Sequence, residues 1–95
     1  MRFDCSAVLR VADQMDAAAE LLDRAVADHL AHLAFGGAVA GRAHTARGDA
    51  LRVQLERLTA EVTQWSRAAA ETAVALRAGA RDYADAEVYA AARIA

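Results

Sequence analysis

The chain has 95 residues, a formal net charge of −2 from 13 acidic and 11 basic side chains, and 57% hydrophobic residues. That length allows one small domain, which buries only part of its surface alone. Near-neutral, interleaved charge excludes the basic stripe of a nucleic-acid binder, and a single cysteine, Cys5, excludes an intrachain disulfide.

Twenty-eight alanines and no proline argue for helix almost throughout. Charges recur every few residues, so no stretch reads as a transmembrane span. The first residues, Met1-Arg2-Phe3-Asp4-Cys5-Ser6, lack the apolar core of a cleavable signal peptide.

The first element is a predicted helix over about residues 5–34. Asp4 or Ser6 can cap it by accepting from a free backbone N–H. At 100° per residue, Val8, Val11, Met15, Ala18, Leu22, Val26, His29 and Leu33 share one face. Spacings of three and four repeat as in a coiled-coil seam. Ala12, Ala18, Ala19 and Ala25, on or beside it, permit close approach of a second helix. Leu9 and Leu21 fall outside the stripe. His29 and His32, with His44 beyond the turn, carry no second ligand set at recognisable spacing, so no metal site is expected.

The chain reverses at Phe35-Gly36-Gly37, a predicted turn over 35–38. Two glycines lack the Cβ that penalises positive φ, and Phe35 can pack against the junction. One long second helix is expected over about 39–92, with a break at Gly48, where Asp49 could cap a fresh start, or at Gly79 left open. Leu51, Leu55, Leu58, Val62, Trp65, Ala69, Thr72, Leu76, Gly79 or Ala80, and Tyr83 form its apolar stripe.

These elements define an all-α fold, a single-domain antiparallel helix–turn–helix hairpin spanning residues 1–95. Folding about Gly36-Gly37 sets Val8 on Trp65, Val11 on Val62 and Met15 on Leu58. Roughly 25 residues of the second helix then project past the first, about 35–40 Å of it. An apolar stripe continuing along a free helix marks an interaction surface. Trp65, Ala69, Thr72, Leu76, Ala80 and Tyr83 are its expected face. The expected partner is a second copy or another helical protein, in a four-helix bundle or coiled coil.

Near the C-terminus, Tyr83-Ala84-Asp85-Ala86-Glu87 reads Y-x-x-x-E, which sets a phenol and a carboxylate one turn apart on one face. Glu87 occupies a stripe position where an apolar residue is expected.

An aromatic-x-Gly turn between two helices, followed by Y-x-x-x-[D/E] late in the second, resembles the W-x-G superfamily of small helical hairpins exported by type VII secretion in actinobacterial and related bacteria. The stretch from Phe35-Gly36-Gly37 to Gly41-Arg42, with the Tyr83-to-Glu87 end, most resembles the EspC-like branch. The chain departs from the signature in having Phe35 where Trp is usual, and in its early turn. The resemblance implies that Phe35 and Gly37 are the turn signature. It also implies that Tyr83 and Glu87 are an export signal read by the secretion machinery. Synthesis in the cytoplasm followed by secretion or cell-envelope association, without a cleavable signal peptide, is the expectation. The alternative is a non-exported helical adaptor or chaperone-like partner of a larger secreted effector or toxin. Membrane action is disfavoured because the polar faces lack the Lys/Arg richness of interfacial helices. No phosphate loop, metal motif or nucleophile–base arrangement points to an enzyme, and no cofactor is expected.

Overall fold

The computed structural model describes residues 4–30, 32–33 and 45–94. Helix α1 spans Cys5–Ala25 and runs into a five-residue π-helical segment, Val26–Leu30. Helix α2 spans Thr45–Ile94 without a break. The described residues are all helical apart from Asp4, and α1 packs along α2 as a helical hairpin. Phe35, Gly36, Gly37 and His44 lie outside the described residues, as does the start expected for the second helix.

Asp4 caps α1 as its type should: Oδ1 accepts from the Ala7 N–H at 3.0 Å, and its backbone is extended. The first helix was expected to stay α-helical to residue 34, but its last turns widen at Val26–Leu30. β-Branched Val26 opens that segment, and the π turn takes up an extra residue. Gly79 sits inside α2 with no positive φ, and no described atom approaches within 4 Å of where its Cβ would be.

The interhelical seam is built from small side chains. Ala12, Ala19, Val62, Ser66, Ala69, Ala73 and Ala80 are buried, and no large side chain is fully buried among the described residues. On α1 the seam runs through Cys5, Val8, Ala12, Met15, Ala19, Leu22 and Val26, all buried or half-buried. On α2 it runs through Leu55, Thr59, Val62, Ser66, Ala69, Ala73, Leu76, Ala80 and Tyr83, likewise buried or half-buried. Both follow alternating steps of three and four, which keeps a seam facing its partner along two slightly supercoiled helices. Alanine at every second layer lets the backbones come close.

Two contacts set the register. Cys5 Sγ donates to the Ala80 carbonyl at 3.7 Å, and Ser66 Oγ donates to the Ala19 carbonyl at 3.1 Å. Both pairs have residue numbers adding to 85. The expected pairing about Gly36-Gly37, which put Trp65 on Val8 and Leu58 on Met15, is therefore displaced by about three turns of α2. The small residues at positions 66, 73 and 80 dock against α1, and that drags the crossing point toward the C-terminus.

The displacement shortens the free end. Residues through Tyr83 are engaged with α1, and only 84–94 are exposed throughout. That is about 16 Å of helix, against the 35–40 Å expected. The molecule remains a rod of 78 × 18 × 16 Å with a radius of gyration of 21.5 Å. A compact chain of this length would have a radius near 12 Å.

Candidate functional site

Two regions stand out: the end where α2 leaves the hairpin, and the long sides of the rod. At the open end the seam runs out for a simple reason. Ala80 lies against Cys5, the first residue of α1, so Glu87, next on the same heptad row, has no α1 residue to meet. Tyr83 is half-buried as the last seam residue, and Glu87 is exposed one turn on. A carboxylate on the apolar row is tolerated because it sits in water. Farther along, Arg93 lies over the Tyr89 ring at 5.4 Å and donates from Nη1 to its hydroxyl at 2.6 Å. Val88, Tyr89 and Ile94 are exposed. Beside Tyr83, Cys5, Leu9, Arg77, Ala80, Arg81 and Ala84 line an open hollow of about 300 Å³.

The two long sides of the hairpin differ in chemistry. One is polar. Arg77 donates to Asp13 Oδ1 at 2.9 Å and pairs with Asp16 Oδ2 at 2.6 Å, which holds its pKa above the ordinary arginine value. Ser66 Oγ, buried, also lies 2.5 Å from Asp23 Oδ1, so its one proton is shared between that carboxylate and the Ala19 carbonyl. These bonds cross from α2 to α1 along a single edge.

The opposite side carries an uncharged ridge. Leu51, Leu58, Trp65, Thr72 and Gly79 recur every seven residues along α2 and are all exposed, Trp65 at 56%. Val11 and Ala18 lie on the matching edge of α1, Val11 exposed and Ala18 half-buried.

The structure thus divides the expected interaction face. Ala69 and Ala80 are buried between the protein's own helices, and Leu76 and Tyr83 are half-buried there. Trp65 and Thr72 remain exposed. The stripe seen in sequence merges two rows: Leu55, Val62, Ala69, Leu76 and Tyr83 belong to the internal seam, while Leu51, Leu58, Trp65 and Thr72 form an outer ridge. On α1, likewise, Val11 lies outside the seam, and Ala12 and Ala19 lie within it. The missed inner row is Thr59, Ser66 and Ala73, which leads to Ala80, and its signal is its smallness and its heptad spacing.

His29 and His32 are exposed, with His32 Nδ1 2.8 Å from the Asp28 carbonyl. Among the described residues, no helix is long and apolar enough to cross a membrane. Compared with protein-family models, curated proteins and solved structures, the chain finds no match.

Proposed function

We propose that this chain is a small helical protein exported by, or associated with, type VII secretion, and that it acts through protein–protein recognition. In this reading Tyr83 and Glu87 form the face read by the secretion machinery. The observation that supports it most directly is their position: the pair straddles the point where α2 leaves the hairpin, so a receptor can grip Glu87 and the exposed end without opening the seam. Association through the exposed ridge into a four-helix bundle belongs to the same reading. It is supported by a rod-like shape and a core of alanines too slight for a compact domain.

The test is export. Mass spectrometry of culture filtrate against cell lysate is expected to find the wild-type chain outside the cell. Glu87→Ala and Tyr83→Phe should remain in the lysate while retaining the wild-type helical content. Export of both variants at wild-type level would overturn the role given to this pair.

A further inference from the structure

We propose that the occupant of the uncharged ridge is a second copy of this chain, docked with its α2 antiparallel to the first and centred on Trp65. The inference rests on the reading that the hairpin acts by helical association, and it names the partner.

Surface area supplies the first argument. The chain exposes 7182 Å². A compact monomer of its 10.0 kDa exposes roughly 5,200 Å², leaving an excess near 1,900 Å². A stable interface hides about 800 Å² per partner, so the excess is ample for one.

Size complementarity supplies the second. The ridge is large at one end and small at the other: Leu51, Leu58, Trp65, Thr72, Gly79. A two-fold contact reverses one copy against the other. About Trp65, that sets Leu58 opposite the partner's Thr72 and Leu51 opposite the partner's Gly79. Leu51 and Leu58 each meet a small residue, which leaves room at the centre for Trp65 to lie beside the partner's Trp65.

Gly79 is the telling residue. Glycine in a helix interior is markedly less favourable than alanine. Nothing described within this chain needs it: its φ is ordinary, and a Cβ would meet open space. Close approach of another helix supplies the reason that the hairpin itself does not.

Charge supplies the third argument and the orientation. The row flanking the ridge carries Arg47 near its start, Glu61 near its middle and Asp82 near its end, all exposed; antiparallel docking sets Glu61 opposite the partner's Ala68. Antiparallel docking about Trp65 brings Arg47 to the partner's Asp82, and Asp82 to the partner's Arg47. Only antiparallel docking sets this row against its own copy.

Sedimentation equilibrium of the purified full-length chain tests this, independently of whether the protein is exported. The expected mass is twice 10.0 kDa at micromolar concentration. Gly79→Leu should weaken the dimer about tenfold or more by overpacking the site opposite Leu51, with helical content kept or raised. Arg47→Glu should weaken it several-fold at low salt, and Arg47→Glu/Asp82→Arg should restore it. A monomer at every concentration up to about 100 µM, well above the range of specific protein association, would overturn the proposal. So would a dimer unmoved by Gly79→Leu, or a charge swap that fails to rescue.

Discussion

Replacing Ala73 by leucine puts the seam to its sharpest test. Ala73 and Ala12 are both 0% exposed, and the register that joins Cys5 to Ala80 and Ala19 to Ser66 sets them opposite each other. Leucine adds three heavy atoms to a site with no solvent-facing outlet. The helices must separate, or the side chain must leave its preferred rotamer, at a cost of about 1–3 kcal/mol. Leucine is nearly as good a helix former as alanine, so propensity does not mask the effect. At a chain of this size, each 1 kcal/mol moves the melting midpoint by roughly 4–8 °C. Ala73→Leu should therefore lower Tm by about 8–16 °C for a mid-range cost of ~2 kcal/mol. The same substitution five residues on, Ala78→Leu, lies at an exposed position away from both seam and ridge and should change stability by less than about 0.5 kcal/mol. Far-UV circular dichroism melts at one fixed protein concentration measure both. Equal shifts for the two variants would refute the assignment of Ala73 to the interhelical seam.

Loss of the α1 cap in Asp4→Ala should cost about 1 kcal/mol, and hydrogen exchange should show the first turn fraying before the rest of the helix. Ser66→Ala and Asp23→Ala should be non-additive in chemical denaturation, with a coupling of about 1 kcal/mol, because each removes the same 2.5 Å hydrogen bond; strict additivity would count against that bond. Arg77→Met keeps the apolar stem and drops the charge shared with Asp13 and Asp16. It should lower Tm slightly at low salt and less at ~1 M salt, where screening has already weakened the wild-type pairs.

Two helices joined by a reversal were legible from alanine content, missing proline and the glycine pair. So was one of the two seam rows on α2, Leu55 through Tyr83, because the same residues serve under either choice of second row. The second row was not legible, since hydrophobic periodicity weights size. Leu58 and Trp65 outscore Ser66 and Ala73, yet a close-packed pair of helices selects the small side chains and leaves the bulky ones outside. The register slipped for a related reason. Pairing about Gly36-Gly37 assumed that the reversal lies midway between the facing arms. The small residues of α2 instead choose the alignment in which they meet Ala12 and Ala19. At the free end, the Tyr83 and Glu87 spacing was visible at once. That the seam stops between them depends on where α1 begins once the helices are paired, and local sequence does not carry that.

The widened segment at Val26–Leu30 has a consequence for how the first arm can vary in length. A π turn holds one residue more than the α turn it replaces. Removing a single residue there, Ala27 for example, lets the backbone wind on as ordinary helix. The upstream partners of Ala73 and Ser66 would stay put, while the imidazoles of His29 and His32 would keep the azimuth that an uninterrupted spiral dictates. The segment is thus a length buffer: the loss of one peptide is absorbed there before it can reach the alanine layers.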